Sequence, residues 1–383
     1  MSAGKKHILI YEPRVEGHHV FNLQFVASDL LDAGFQLTLA LDTRPESLAR
    51  LRTGLGDILN RARVVSANDG KHRGEINFIA SLLTESGADS VFLTNLDEIA
   101  SSLLRRAAFG LMPPESLRGR LGGSYSRPRF LMGCGLSPNQ WLKSRGFTKL
   151  LRGGWFRQLL FPDPFIAEDL AKQFPSVHIA HVPDPVPENF LGDREVARRE
   201  LGLATDKKVF LFYGGAYRRK GLHLAVAALR NLPASSPTFL LCAGEQPDDA
   251  DTARGIAELT AQGRALSLNR YISDAEEKLV FAACDFVLLP YIKHFGSSAV
   301  LSRAMGAGKP VIASDEELVG RVVRERGLGL LFPSGDVAAL GRAMEQMAGA
   351  PVTEISRWQA AARSHAQKCS RAAFRDAVVG VFA

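Results

Sequence analysis

No apolar run in the 383 residues approaches the ~20 needed to cross a bilayer, and the opening "MSAGKKHILIYEP" lacks the long apolar core and small-residue cleavage site of a signal peptide. The expected location is therefore cytoplasmic. Cysteine is scarce. Cys134, Cys242, Cys284 and Cys369 lie far apart, with no paired spacing for zinc or a redox dithiol, so all four are expected to be reduced. Cys242 and Cys284 sit in apolar, strand-like runs and read as core filler. No helix-turn-helix, zinc-finger or aromatic RNA-binding signature accompanies the basic residues, so nucleic acid is not the expected partner.

Acid is nearly missing from one stretch. Between Arg105 and Arg157 the only carboxylate is Glu115, against Arg105, Arg106, Arg118, Arg120, Arg127, Arg129, Lys143, Arg145, Lys149, Arg152 and Arg157. Much of the formal net charge of +7 is concentrated there. A solvated face that keeps the protein soluble is one reading. The same stretch also carries Phe109, Leu111, Met112, Leu117, Leu121, Tyr125, Phe147, Trp155 and Phe156, so amphipathic segments on the anionic inner face of a membrane are the other.

A chain of this length exceeds one ordinary core, and its pattern repeats. Strand-like runs at 7–13, 36–42, 63–67, 90–95, 129–133 and 177–183, with helical spacing at 20–34, predict a parallel sheet covered on both faces. Pro183, Pro185 and Pro187 then bar both helix and central strand, which places a linker at 181–190. Strands restart at 208–215, 238–244, 266–272, 285–291, 310–314 and 327–333, with helices between them. The expected architecture is α/β, with two doubly wound Rossmann-like domains at 1–183 and 184–369. A C-terminal helix at about 370–383 is expected to return to the first. Ligands of such units bind beyond the carboxyl ends of strands, at helix N-termini.

Four segments carry a resemblance: "FYGGAYRRKGLHLAVAAL" (212–229), "SDAEEKLVFAACDFVLLPY" (273–291), "FGSSAVLSRAMGAGKPVIAS" (295–314) and "GLGLLFPSGDVAALGRAM" (327–344). In this order they resemble the donor-binding domain of GT-B glycosyltransferases, particularly glycosyltransferase family 4, and the "VPDPV" linker (182–186) is similar as well. The first half is similar by topology and by "EPRVEGHHVFNLQFVASDLLDAG" (12–34). The resemblance implies a retaining, metal-independent transfer of a sugar from a UDP-, GDP- or dTDP-sugar to a hydroxyl, with no further cofactor. Together with the basic stretch, it implies a glycan or lipid-linked acceptor, as in surface polysaccharide or glycolipid synthesis.

The residues carry their own chemistry. A departing diphosphate needs its growing charge neutralised. Arg218, Arg219 and Lys220 at a helix start supply cations, while the backbone around Gly296, Ser297 and Ser298 supplies N–H donors and the positive helix end. "RRKG" alone would equally be an exposed turn, and the downstream "GSS" decides between the readings. Glu245 and Gln246 follow one strand, Tyr271 follows another, and His294 precedes the "GSS" turn; these complete the donor candidates, although His294 is equally read as packing at a strand end. In the first half Glu16, Gly17, His18 and His19 follow the first strand. His18, His19 or Glu16 would orient or deprotonate an acceptor hydroxyl. A helix N-terminal role for one His is the alternative. Asn95, with Asp97 and Glu98, ends another strand, where a helix N-cap is an equal reading.

The departures from the family are as specific. Its paired acids fall on Arg303 and on Phe295 or Lys293, and its Arg before the Lys falls on Gly215. Arg303 is expected either to reach a donor phosphate or ribose oxygen or to pair with Glu316 or Glu317. Two rivals stay open: a GT-B-like sugar-nucleotide epimerase, which would need several carboxylates around the sugar, and a non-catalytic binding module.

Overall fold

The computed structural model describes residues 6–15, 18–70, 74–132, 137–187, 190, 192–246 and 249–382. The chain divides into two units, Met1–Pro183 with Phe374–Ala383, and Asp184–Ala373.

The first unit is built on seven parallel strands: β1 (His7–Glu12), β2 (Gln36–Leu41), β3 (Arg63–Ser66), β4 (Ser90–Leu93), β5 (Leu121–Ser124), β6 (Phe156–Phe161) and β7 (His178–His181). Their order is β3-β2-β1-β4-β5-β6-β7. Every residue of β1 after His7 is buried, as a strand covered on both faces requires. Two cores flank this sheet, one including Leu9, Tyr11, Val91 and Leu93 and the other Ile8, Ile10 and Phe92. The second core also takes in Phe374, Val378, Val381 and Phe382 from the helix Arg371–Gly380 and the residues after it. Phe382 lies edge-on to Phe92, with ring centroids 5.3 Å apart, and its carbonyl accepts from Lys6 Nζ at 2.9 Å.

The second unit has six parallel strands: β8 (Lys208–Tyr213), β9 (Thr238–Ala243), β10 (Ala265–Leu268), β11 (Phe286–Leu289), β12 (Val311–Ser314) and β13 (Gly329–Phe332). Their order is β10-β9-β8-β11-β12-β13. In each sheet the winding reverses once, between β1 and β4 and between β8 and β11. Such a reversal splays the connections to opposite faces and leaves a crevice at the strand ends.

Two expectations from the sequence are corrected. "RFLMG" is not a strand: Arg129–Leu131 forms a single 3-10 turn. The strands of that region are instead β5, "LGGS", and β6, "FRQLLF". Gly122 in β5 lets the Gln158 side chain pass, since an added Cβ would stand 2.7 Å from Gln158 Cγ. Among the apolar residues of the basic stretch, Leu117, Leu121, Tyr125, Phe147, Trp155 and Phe156 are buried, so they belong to the core and not to a surface. Among the described residues no helix is long and apolar enough to cross a membrane.

Candidate functional site

The site of the second unit is assembled at the β8/β11 reversal. After β8 the chain turns through Gly214 at φ 92°, packed so closely on Gly244 that a Cβ on the latter would stand 2.5 Å from Gly214 O. The Ala216 amide donates to Glu245 O at 2.8 Å, tying this loop to the end of β9. One 3-10 turn, Arg218–Lys220, follows and stops at Gly221, φ 78°. A Cβ there would lie 1.9 Å from Pro290 O, so glycine alone lets the Lys220 turn press against the end of β11. Ile292 N closes the contact by donating to Arg219 O at 2.9 Å.

That contact brings together groups more than 70 residues apart. Lys220 Nζ stands 4.3 Å from the centroid of the Tyr291 ring and donates to its hydroxyl at 3.1 Å. The Tyr291 hydroxyl meets Ser298 Oγ at 3.0 Å, and Ser298 Oγ caps the helix Ala299–Gly306 by accepting from Leu301 N at 3.2 Å. Arg219 Nη1 lies 2.8 Å from His294 Nδ1, and His294 Nε2 lies 3.0 Å from Ser297 O. A carbonyl only accepts, so Nε2 carries the proton and Nδ1 accepts from the guanidinium. Two cations, a hydroxyl chain and the positive end of a helix thus converge where "RRKG" and "GSS" were expected to meet. Gly296 lies in the loop that links His294 to this helix start, and Gly215 in the turn that precedes the Lys220 loop.

Other donor candidates separate from this cluster. Arg218 turns away, its Nη1 3.8 Å from Asp249 Oδ2, and lines a cavity of about 270 Å3 with His223 and Thr252. The sequence Asp249-Ala250-Asp251 is a helix start, in which Asp249 accepts from Asp251 N and Thr252 Oγ1. Gln246 is held at the end of β10, its amide on Asn269 Oδ1 at 2.8 Å and its Nε2 on Ser267 Oγ at 2.6 Å. Glu245 is exposed, as is Tyr271, which lies near enough to Tyr213 to raise its phenol electrostatically.

Arg303 pairs with neither Glu316 nor Glu317. Its Nε donates to Glu277 Oε1, on the helix Asp274–Ala283, and its Nη1 donates to Ala299 O at 3.2 Å. Glu277 is buried and also accepts from the Tyr213 hydroxyl; burial, followed by this bond, pushes the Tyr213 phenol up. Glu316 instead accepts from Lys293 N at 3.1 Å. Lys293 (φ 50°) and Glu317 (φ 56°) both adopt the left-handed region, which a side chain takes only when its surroundings hold it there. The hydroxyl of Ser297 bonds to Asp184, whose carboxyl is raised by burial against the opposing pull of this bond and of Arg303. Tyr291, Glu277, Tyr213 and Asp184 are therefore parts of the site that sequence reasoning missed. Tyr291 carried a signal, as a polar residue at the end of an apolar strand, whereas Glu277 looked like one acid among several on a helix.

In the first unit the β1/β4 reversal holds a smaller polar group. Buried Glu12, at the end of β1, accepts on Oε2 from Thr94 Oγ1 at 2.6 Å and meets His19 Nδ1 at 3.1 Å. A carboxylate oxygen accepts, so in this contact Nδ1 is the donor. Glu16 and Gly17 lie outside the described residues, and His18 opens the helix His18–Asp32. Asn95 is not a side-chain cap. The helix Asp97–Ala108 begins without one, Asn95 Nδ2 approaches Glu98 Oε1 at 3.4 Å, and Asn95 Oδ1 is buried without a partner. Asp97 instead accepts from the Ser126 and Arg127 amides at 2.7 and 2.9 Å, and burial still raises its carboxyl. Beside β1, a cavity of about 460 Å3 is lined by Tyr11, Asp42, Arg44, Asn68, Asp69 and Glu75. Among the described residues no group of three or more His, Cys, Asp or Glu is placed to hold a metal ion.

Two doubly wound parallel sheets, each with a polar group at its winding reversal, define the GT-B class. The Anabaena protein HepE, solved with UDP and glucose, shares this fold at a TM-score of 0.63 and 15% identity, with 98% of this chain and 99% of HepE covered. Residues 193–365, within the second unit, match the family described as glycosyl transferases group 1. Among curated proteins, the D-inositol 3-phosphate glycosyltransferase of Stackebrandtia nassauensis is 28% identical over 228 residues, 56% of this chain and 50% of its own. The phosphatidyl-myo-inositol mannosyltransferase of Mycobacterium leprae is 38% identical over 73 residues, 19% of this chain and 20% of its own. The chain thus covers half or less of the length of these relatives.

Proposed function

We propose that this protein is a glycosyltransferase that binds a nucleoside-diphosphate sugar in its second unit and passes the sugar to a hydroxyl acceptor held by its first. One observation carries this reading: Arg219, Lys220, Tyr291, Ser298 and the start of the helix Ala299–Gly306 converge at the β8/β11 reversal. The family match and the UDP seen in HepE support the choice of ligand.

As the bond between the anomeric carbon and the β-phosphate oxygen breaks, the electron pair goes to that oxygen. Lys220, Arg219 and the helix N-terminus face the resulting charge and hold it without reorganising. No metal is required, because these cations take the place a divalent ion would have on the diphosphate, and configuration is retained, because the acceptor attacks from the face the diphosphate leaves. The departing oxygen takes the acceptor proton as the new glycosidic bond forms, and Glu12 holds His19 to orient the acceptor hydroxyl.

The acceptor is lipid-linked, in surface polysaccharide or glycolipid assembly, and the protein works at the inner face of the membrane. The support is the surface left by the helices Asp97–Ala108 and Pro138–Arg152, where Phe109, Leu111, Met112 and Trp141 are exposed among Arg105, Arg106 and Arg145. Arg145 covers the Trp141 ring at 5.6 Å. Burial, together with the like charges of Arg105 and Arg129, holds the Lys143 ammonium below its ordinary range.

A panel of UDP-, GDP- and dTDP-sugars tests the transferase reading. One donor should be consumed, by slow hydrolysis alone and faster with acceptor. Lys220→Ala should lower that rate at least ~100-fold, on the scale of losing one oxyanion donor, with the melting temperature unchanged. A donor that is epimerised and never cleaved, or equal turnover by Lys220→Ala, would overturn it.

A further inference from the structure

The hydrogen-bond chain that holds Lys220 carries one hydrogen more than its contacts use. Four groups meet in it. The Lys220 ammonium and the Leu301 amide can only donate, while the Tyr291 and Ser298 hydroxyls each donate once and accept. Leu301 N–H occupies one lone pair of Ser298 Oγ, and Lys220 N–H occupies one of Tyr291 Oη. The two hydroxyls then share a single contact at 3.0 Å, which uses one of their two hydrogens. Either Tyr291 donates to Ser298 and the serine hydrogen is left over, or the reverse holds. Tyr291 is 3% exposed and Ser298 5%, so little bulk water meets the surplus, and a ligand oxygen would reach it through the small exposed part of Ser298. An unmet buried donor is costly, and an incoming acceptor oxygen would recover that cost.

The direction of the chain also follows. An ammonium at the Tyr291 oxygen polarises the phenol, and the favoured arrangement runs Lys220 N–H to Tyr291 O–H to Ser298 O–H, each bond strengthening the next. The surplus hydrogen then emerges on Ser298, at the start of the helix Ala299–Gly306, where the helix end already favours negative charge. The next residue, Ser297, spends its hydroxyl on Asp184 and its carbonyl on His294, so it contributes no second free hydroxyl.

We infer that Tyr291 and Ser298 form a donor relay for the diphosphate, with the Ser298 hydroxyl bonding a phosphate oxygen and Tyr291 acting as a positioning residue that transmits the Lys220 charge to it. This rests on the donor-site reading above and adds to it a neutral donor next to the cations. Tyr291→Phe is the diagnostic variant because it keeps the ring beneath Lys220 and removes only the link. Binding is measured on the full chain with whichever of UDP, GDP and dTDP the wild type binds, and with the matching nucleoside by competition.

Tyr291→Phe and Ser298→Ala should each weaken the diphosphate about tenfold, or ~1.4 kcal/mol, and leave the nucleoside unchanged. The double variant should be no worse than the weaker single one, because each breaks the same chain. Ser298→Thr, which keeps a hydroxyl at the cap, should bind as the wild type does. Wild-type affinity in Tyr291→Phe, or equal loss of diphosphate and nucleoside, overturns the relay and leaves the donor-site reading in place. A wild type that binds none of the three diphosphates removes both.

Discussion

Arg303 stands on a helix that opens at the candidate phosphate site, at a position the resembling family fills with an acid. Its guanidinium is committed to Glu277, which is buried and also takes the Tyr213 hydroxyl. The acid that Arg303 meets stands on another helix, Asp274–Ala283. Removing one partner of such a pair leaves an uncompensated buried charge, at a cost of about 3–5 kcal/mol. Arg303→Glu should therefore lower stability by roughly that amount in urea unfolding, and adding Glu277→Arg should recover at least half of it. A single variant as stable as the wild type would show that the pair is not formed. The sequence could not reveal this partner, because Glu277 lies 26 residues upstream and spacing along the chain carries no record of which helices pack together. Glu316 and Glu317 were nearer in sequence and are engaged elsewhere or held in a different backbone conformation. Lys220, Ser297 and Ser298 were legible because glycines mark their turns and the chemistry of a diphosphate demands donors there. Their connection through Tyr291 was not, since a tyrosine that ends an apolar run looks like core.

Elements differ in how much their sequences declared. β1, β8 and β9 are long, apolar and bounded by turns, so a buried parallel strand is the plain reading. β5 has two glycines in four residues, and β6 carries Arg157 and Gln158 in its first half, so neither shows the apolar run of a central strand. "RFLMG" shows that run, yet Arg129–Leu131 within it folds as a 3-10 turn, which is the ambiguity expected of any short apolar segment. The helix Pro138–Arg152 packs on Asp97–Ala108 through Gly146, where a Cβ would meet Leu104 O at 1.8 Å. That close approach leaves Phe109, Leu111 and Trp141 outside, each more than half exposed. If this surface docks on a bilayer, the full chain should sediment with vesicles containing anionic phospholipid at low salt. Binding should fall several-fold as salt shortens the Debye length from about 30 Å at 0.01 M to about 8 Å at 0.15 M. Replacing Phe109 and Leu111 by Ser should weaken it further. Equal binding to neutral vesicles, or none to anionic ones at low salt, would contradict the membrane reading.

At the scale of the whole molecule the same device appears twice. Each sheet reverses its winding next to its first strand, and each reversal gathers the polar side chains that the flanking strands deliver: Glu12, His19 and Thr94 in one unit, and Lys220, Tyr291 and Ser298 in the other. The repeat of strand and helix signals on either side of the proline-rich linker exposed this doubling in the sequence. What it concealed is how a segment at the linker enters the second site, as Asp184 does beside Ser297. The central claim is that the second unit is a nucleoside-diphosphate cradle. Isothermal titration of the full chain with UDP, GDP and dTDP tests it most directly. One of the three should bind once per chain, and Arg219→Ala, which removes a guanidinium held on His294, should weaken that ligand about tenfold without changing the affinity for its nucleoside. No heat of binding with any of the three, or an Arg219→Ala variant that binds as tightly as the wild type, would contradict it.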